Sequence, residues 1–132
     1  MVNIPEEVLK VMGEQTTVKA LVTSDASGQP HAIVCGSIIA PSPDKVIVGE
    51  VLMRKSSKNL QANKKGAILV SAGMSAYEIV LENPVRVTEG PALDQMNENL
   101  AAVHLKAGAL WIFDVAAVYD QGANPNAGTK LA

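Results

Sequence analysis

The sequence predicts a mostly β (α+β) fold, in which six antiparallel strands form a small barrel and about three short helices cover its ends or sides. Three observations support this. The 132 residues, 48% of them hydrophobic, suffice for one domain with a single core. Six runs of β-favouring residues are separated by segments with turn or helix composition. Turns, and not crossover helices, join the first three runs, which argues against a parallel Rossmann sheet.

The chain begins with a short helix and a β-hairpin. Pro5 followed by two glutamates favours a helix start, and Gly13 closes the apolar stripe that follows. The β-rich residues 17–23 and 31–40 flank a connector, residues 24–30, that contains Ser, Asp, Gly and Pro. We therefore expect these two runs to pair as the first two strands.

The third strand leads into a basic helix. After a turn that contains Pro and Asp, residues 45–52 form a strand-like run. The segment that follows has the composition of a helix of about ten residues. Ser56 is the N-cap candidate, because a serine hydroxyl can accept a hydrogen bond from a free backbone N–H at a helix start.

Two more strands and a third helix follow. Residues 67–72 and 77–88 favour strands, and proline interrupts the second run, so a bulge or an edge position is expected at Asn83-Pro84. Pro91 opens the helix, and one face of it carries the apolar residues Leu93, Met96, Leu100 and Val103.

The last strand, residues 109–119, is apolar around Trp111, which we expect in the core or in a subunit interface. Residues 121–132 are rich in Gly, Ala and Asn and are predicted to form a flexible tail. The predicted organisation is one domain over residues 1–120 followed by this tail.

A cluster of basic residues marks the candidate site. Residues 54–65 hold five of the eleven Lys and Arg residues and no acidic one. Arg54, Lys55 and Lys58 lie where the helix should begin, and the helix dipole disfavours cations there by about 0.3–1 kcal/mol each. A phosphate held by these cations, the Ser56 hydroxyl and the free N–H groups would resolve the conflict. The simpler interpretation is a solvated basic rim.

The composition argues against several functional classes. A net charge of −2 and few aromatic side chains disfavour nucleic-acid binding. No apolar run approaches the ~20 residues of a membrane span, and no signal-peptide pattern is present. Cys35 is alone, which excludes an internal disulfide, and one Cys with two His gives no metal-ligand spacing. We expect a cytoplasmic protein without a metal site, and we expect Cys35 to be a small buried hydrophobe.

Three short motifs occur in an order that is typical of a known family. They are Gly28-Gln29-Pro30-His31 before the second strand, Lys45-Val46-Ile47-Val48 in the third, and Met53-Arg54-Lys55-Ser56 with Asn59-Leu60 after it. With this spacing the sequence resembles the pyridoxamine 5'-phosphate oxidase-like FMN-binding split-barrel family, and within it the small single-domain FMN-binding proteins. The resemblance extends from residue 20 to the last strand and implies a six-stranded antiparallel split β-barrel.

The same resemblance implies a cofactor and a partner. It implies a homodimer with an FMN at each of two sites along the subunit interface, and it allows a redox partner protein. Lys55 and Ser56 would hold the FMN phosphate, with three further residues nearby, Arg54, Ser57 and Lys58. The flavin ring would lie against the second and third strands, at Val34, Cys35, Gly36, Ser37, Val48, Gly49, Glu50 and Val51.

Two functions follow from these residues. The first is an FMN-binding flavoprotein that acts in electron transfer or as a small flavin-dependent oxidoreductase. The second is a non-enzymatic split-barrel binding module that stores or senses a flavin or another phosphate-bearing ligand, as the few polar side chains of the second strand suggest. A genuine pyridoxamine phosphate oxidase is not expected, because nothing after Val118 matches the Arg and His pattern of those enzymes. No catalytic residue is assigned.

Overall fold

The structure, a computed structural model, describes all 132 residues and contains three helices and seven strands. The helices are α1 (Glu6–Gly13), α2 (Arg54–Asn63) and α3 (Pro91–Ala101). The strands are β1 (Val18–Ser24), β2 (Pro30–Val34), β3 (Ile38–Ser42), β4 (Lys45–Gly49), β5 (Lys65–Ala72), β6 (Ser75–Val87) and β7 (Leu110–Asp120). The mostly β class with three short helices is confirmed, with one strand more than the six predicted. None of the three helices has the length and apolar character needed to cross a bilayer.

All seven strands form one antiparallel sheet in the order β2-β1-β5-β6-β7-β4-β3. β2 and β3 therefore lie at opposite edges, although only residues 35–37 separate them in the chain. Because four Cα–Cα steps span at most about 15 Å, the sheet must curl until its edges face each other. The edges do not pair, so the sheet is an open, split barrel, as predicted.

Residues 35–37, which connect β2 to β3, extend the backbone hydrogen bonding of both edge strands. The Cys35 N–H donates to the Lys19 carbonyl at 2.8 Å, and the Gly49 N–H donates to the Ser37 carbonyl at 2.9 Å. The predicted single strand over residues 31–40 is thus wrong. The chain leaves β1 as its partner and joins β4 within the stretch around Gly36.

The third predicted strand is also shorter than expected. Residues 45–52 were expected to form it, but β4 ends at Gly49 and the next residues turn towards α2. Leu52 lies in this turn with a positive φ of 52°, a conformation that an extended strand cannot contain.

β4 is buried on both faces, and four of its five residues are buried. Val46 and Val48 point into the main core, where the apolar face of α1 and Phe113 of β7 also lie. Ile47 points the opposite way, as strand geometry requires. It packs in a second cluster, with Leu93, Met96, Leu100, Ala107 and Leu110.

Helix α3 covers the outer face of the sheet. Its predicted apolar residues Leu93, Met96 and Leu100 are all buried, each contributing about 1.5–3 kcal/mol if burial is complete. Val103 was predicted on the same face, but the helix ends at Ala101 and Val103 is 60% exposed. That part of the prediction is wrong because the chain leaves the helical repeat before reaching it.

The predicted bulge at Asn83-Pro84 is confirmed. Glu82 pairs with Asp114 of β7 and the next pair is Val85 with Ile112, so the two intervening residues have no partner. Asn83 has a φ of 53°, and its amide donates to the Asp114 carboxylate at 3.0 Å. The proline, which lacks an N–H, is thereby placed where the ladder needs no donor.

The last twelve residues return to β7. Lys130 forms an isolated bridge with Tyr119, and the Leu131 N–H donates to the Val118 carbonyl at 2.8 Å. The start of the segment is also held, because the Gln121 and Ala123 N–H groups donate to the Ala76 and Met74 carbonyls, whereas residues 123–130 are exposed. The flexibility of this tail stays a prediction.

Candidate functional site

Helix α2 begins without a side-chain cap. Met53, which is 3% exposed, precedes the helix, and its carbonyl accepts the hydrogen bond of the Ser57 N–H at 2.9 Å. Ser56 is the third residue of the helix, so its predicted role as N-cap is wrong. The first turn holds no acidic residue. Its first N–H groups therefore have neither an intrahelical acceptor nor a side-chain cap.

The cations at the start of α2 line a pocket of about 440 Å³, which we call the basic pocket. Arg54, Lys55 and Lys58 form it together with Asp25 of the β1–β2 turn and Asn59, and no apolar residue contributes. The protein has only two ion pairs, Lys45–Asp114 and Arg86–Glu50. None of the three pocket cations is therefore neutralised by direct pairing, and the pocket can accept an anion.

The two serines of α2 point away from the basic pocket. Ser56 is fully buried, and its hydroxyl has no hydrogen-bond partner. Ser57 is 6% exposed, and its hydroxyl accepts a hydrogen bond from Trp111 Nε1 at 3.2 Å. Neither side chain lines the pocket, so the helix offers an anion its cations and its free N–H groups and not these hydroxyls.

Glu50 is held by protein partners. Arg86 donates from Nε and Nη2 to its two carboxylate oxygens, at 2.8 and 3.1 Å, and Trp111 Nε1 donates to Oε2 at 3.0 Å. The Arg86 guanidinium is the main reason that the pKa of Glu50 lies below its ordinary value. The network joins the end of β4 to β6, β7 and α2, so Glu50 positions the turn before α2. Sequence reasoning missed Arg86, whose isolated occurrence in β6 gave no signal.

A second cavity, which we call the apolar groove, lies beside this turn. It encloses about 560 Å³, and eight of its ten lining residues are hydrophobic, Ile33, Val34, Cys35, Val51, Leu52, Leu100, Val103 and Leu105. Gly36 and Ser37 complete it. No atom lies within 4 Å of the position that a Cβ on Gly36 would occupy, so the groove is open there to a bulky group.

The structure brings five of the eight predicted ring contacts to this groove and leaves three outside it. Val34, Cys35, Gly36, Ser37 and Val51 line it. Val48 is fully buried in the main core. A Cβ on Gly49 would lie 3.1 Å from the Ser37 Cβ and 3.2 Å from the Met96 sulfur, so no open space faces it. Glu50, the third, is held in its ion pair with Arg86.

The groove contains little chemistry of its own. Cys35 is 6% exposed, as expected for a buried hydrophobe, and its sulfur lies 3.2 Å from the Ser37 hydroxyl. Ser37 donates to the Gly49 carbonyl at 2.8 Å, so the thiol is the donor to Ser37. No carboxylate or imidazole lines the groove. The protein therefore supplies no general acid or base at this place, other than a thiol engaged in a hydrogen bond.

The two cavities are neighbours along the chain. Leu52 lines the apolar groove and Arg54 lines the basic pocket, with the buried Met53 between them. Two Cα–Cα steps span at most about 8 Å. The arrangement suits a ligand with a flat apolar part and an anionic end.

Comparison with known proteins identifies the fold. No protein-family model matches the chain, and no curated protein matches it. Among solved structures, HupZ of group A Streptococcus has a TM-score of 0.80 and 20% identity, over 95% of this chain and 99% of HupZ. An FMN-binding protein from Syntrophomonas wolfei has a TM-score of 0.72 and 16% identity, over 80% and 78% of the two chains. HutZ, the heme storage protein from Vibrio cholerae, has a TM-score of 0.66 and 15% identity, over 92% and 97%.

These identities are low, so the comparisons carry the fold and no activity. The similar structures include an FMN-binding protein, an F420 reductase and proteins named for pyridoxamine 5'-phosphate oxidase. The chain has the split-barrel fold of the pyridoxamine 5'-phosphate oxidase-like proteins.

Proposed function

We propose that the protein is an FMN-binding flavoprotein that acts in electron transfer or as a small flavin-dependent oxidoreductase. The observation that carries this proposal is the pair of cavities, the apolar groove and the basic pocket, whose lining residues Leu52 and Arg54 lie two positions apart in the chain. FMN has a phosphate at one end and a flat, largely apolar ring at the other, and the two cavities match these parts. A structurally similar protein from Syntrophomonas wolfei is described as FMN-binding, which supports the choice of ligand.

Each part of the site has a physical role in this proposal. Arg54, Lys55 and Lys58 bind the phosphate together with the free N–H groups at the start of α2. The apolar groove receives the ring, with Gly36 at the open position. When bound, FMN supplies the redox chemistry, and the protein contributes binding, orientation and exclusion of water.

We also propose that a second copy of the chain covers the groove, so that a homodimer holds one FMN at each of two interface sites. Four apolar residues at the groove are strongly exposed: Val34 (79%), Leu52 (91%), Val103 (60%) and Leu105 (43%). Leu52 also has a positive φ, which disfavours a leucine by about 1–3 kcal/mol. A large apolar side chain held in this way suits contact with a partner better than contact with water.

The test is a titration of the protein with FMN, followed by quenching of Trp111 fluorescence. A charge-assisted hydrogen bond contributes about 1.5–3 kcal/mol, so Lys55→Glu should weaken FMN binding by at least about tenfold. Lys10→Glu in α1 changes the net charge equally and is the matched control, which should bind like the wild type. Riboflavin, which lacks the phosphate, should bind both variants and the wild type alike. Equal FMN affinity of all three proteins would refute the phosphate assignment.

A second candidate function is a non-enzymatic module that holds a flavin or another phosphate-bearing ligand. The observation that favours it is the lack of a carboxylate or imidazole in the groove. The two functions differ in the behaviour of the flavin-loaded protein. Reduction by a nicotinamide donor or a redox partner supports the first, and resistance to all of them supports the second. Because HutZ is described as a heme storage protein, hemin belongs in the same titration, and preference for hemin over FMN would overturn the flavin proposal.

A further inference from the structure

The largest cavity of the protein is a third one, formed by the end of α1, the start of β1 and the edge strand β3. It encloses about 660 Å³, within the range of about 300–1,000 Å³ that is common for small-molecule sites. It shares only Gly36 with the apolar groove and no residue with the basic pocket. We call it the end cavity, and its walls include Leu9, Met12, Gly13, Glu14, Lys19 and Ile39.

Lys19 places a cation without an anionic partner in the end cavity. It lies on the same face of β1 as the fully buried Leu21, so its side chain points inward. Its Nζ donates to the Ile38 carbonyl of β3 at 3.0 Å, which leaves two of its three N–H groups for a ligand or water. Neither ion pair of the protein involves Lys19. Burial disfavours the ammonium form and lowers the pKa of Lys19 below its ordinary value, and a bound anion would offset this cost.

The end of α1 supplies the opposite charge to the same cavity. Glu14 directly follows the last residue of the helix, where the helix dipole disfavours a carboxylate, and it is exposed and in no ion pair. The carbonyls of Met12 and Gly13 accept no hydrogen bond from the protein, as is usual in the last turn of a helix. All three residues line the cavity. This wall therefore offers acceptors and a negative charge to a cationic group.

The two charges do not neutralise each other, and aliphatic surface accompanies them. Lys19 and Glu14 form no ion pair, so both remain available to a ligand. In the same walls Ile39 is 44% exposed, and Leu9 and Ala40 are half-buried. Water can solvate the charges but leaves this aliphatic surface wet. A ligand that matches all three features carries an anionic group, a cationic group and an aliphatic part.

We propose that the end cavity binds a free amino acid with an aliphatic side chain. Lys19 binds the carboxylate of this ligand through its two remaining N–H groups. Glu14 and the free carbonyls at the end of α1 bind the ammonium group. Leu9, Ile39 and Ala40 contact the aliphatic side chain. The site is independent of the proposed flavin site, because none of these groups lines the groove or the basic pocket.

The test compares leucine with analogues that each lack one group. Leucinamide lacks the carboxylate, 4-methylpentanoate lacks the ammonium group, and glycine lacks the side chain. Binding to the full chain is followed by NMR shifts of the backbone amides of residues 13–19, at about pH 6, where the amine of each amine-bearing ligand is protonated.

The wild type should bind leucine most tightly. Leucinamide should bind at least about tenfold more weakly, because it loses the charge-assisted hydrogen bonds to the half-buried Lys19. The loss for 4-methylpentanoate should be about two- to fivefold, because Glu14 is exposed and solvent screens its charge. Glycine should bind at least about fivefold more weakly than leucine, since it leaves the aliphatic surface uncovered.

Two variants assign the charged groups. In Lys19→Met leucine and leucinamide should bind alike, because the carboxylate has lost its partner. In Glu14→Gln the difference between leucine and 4-methylpentanoate should fall below about twofold. Lys10→Met and Glu6→Gln, at exposed residues of α1 outside the cavity, are the matched controls and should keep the wild-type order. Since Glu14 is exposed, its variant tests the site even if Lys19→Met does not fold.

Several results would overturn the inference. Leucinamide binding as tightly as leucine, or an unchanged difference between the two in Lys19→Met, would refute the carboxylate site. Equal binding of leucine and 4-methylpentanoate by the wild type would make the ligand an apolar acid and not an amino acid. Absence of shifts at residues 13–19 with leucine up to its solubility limit would refute the site as a whole. The FMN titration is unaffected by each of these results, because it tests the other two cavities.

Discussion

Replacing Ser56 by alanine should stabilise the protein. Its hydroxyl is fully buried within α2 and has no hydrogen-bond partner. A buried, unbonded hydroxyl costs about 1–3 kcal/mol, and alanine favours a helix over serine by about 0.5 kcal/mol. Loss of contacts around the removed oxygen offsets part of this gain. We therefore expect the free energy of unfolding of Ser56→Ala to rise by about 1 kcal/mol, against the usual direction for a buried substitution.

The adjacent serine provides a matched control. Ser57 is also buried in α2, but its hydroxyl accepts the hydrogen bond of Trp111 Nε1. In Ser57→Ala, Trp111 Nε1 keeps its second acceptor, Glu50. The free energy of unfolding should therefore fall by only about 0.5–1 kcal/mol. Both variants remove one oxygen and gain the same helix propensity. The difference between them, about 1.5–2 kcal/mol, therefore reports the different hydrogen bonding of the two hydroxyls.

Urea denaturation followed by circular dichroism measures both values at one fixed protein concentration, because association of subunits would otherwise shift the midpoint. A decrease in stability of Ser56→Ala that equals that of Ser57→Ala would refute the reasoning, since it would mean that the Ser56 hydroxyl is bonded. FMN affinity of Ser56→Ala should equal that of the wild type, because the hydroxyl does not line the basic pocket.

Two other predictions concern the turn before α2. Arg86 lowers the pKa of Glu50 from 4.5, so the pair stabilises the fold above that pH, and this stabilisation is lost as the pH falls through the lower pKa of the folded state. Both side chains are partly exposed, so the free energy of unfolding of Glu50→Gln should be lower than that of the wild type by up to about 1 kcal/mol at pH 7. In strong acid the two proteins should be equally stable. Denaturation at both pH values measures this, and an equal loss of stability at both would contradict the prediction. If the protein forms the proposed homodimer, Leu52→Lys should shift it to monomers in sedimentation, whereas Met74→Lys, at another exposed apolar residue, should not. An unchanged mass of the Leu52→Lys variant would place the interface elsewhere.

The elements with strong local signals were predictable from the sequence. Proline at the start of α1 and α3 and the Asn83-Pro84 interruption each act through their own backbone, so the sequence alone indicates them. The division between β2 and β3 was not predictable. Residues 31–40 have one continuous β-favouring composition, and the exchange of partner strands at Gly36 is a tertiary effect that depends on β1 and β4.

The site was predictable only where one segment carries it. Arg54, Lys55 and Lys58 all lie near the start of α2, so their charge and the helix dipole were enough to indicate an anion site. Asp25 lies in the β1–β2 turn and Arg86 lies in β6, and no spacing rule connects either residue to α2. At Ser56, packing overrides the preference of serine for the N-cap position. Met53 and Leu60 are buried, and residues 56 and 57 lie on the same face of the helix, so they are buried as well.

The short link between β2 and β3 has a kinetic consequence. The hairpins β1–β2 and β3–β4 each join neighbouring strands, so their loops can close quickly and independently. The pairing of Gly49 with Leu110 must instead close a long stretch of chain, whose entropy cost makes it slow. Because β3 and β4 join the rest of the sheet only through β7, the two edges cannot face each other before β4 meets β7. The facing arrangement of the unpaired edge strands β2 and β3 is therefore expected to be among the last features to form during folding.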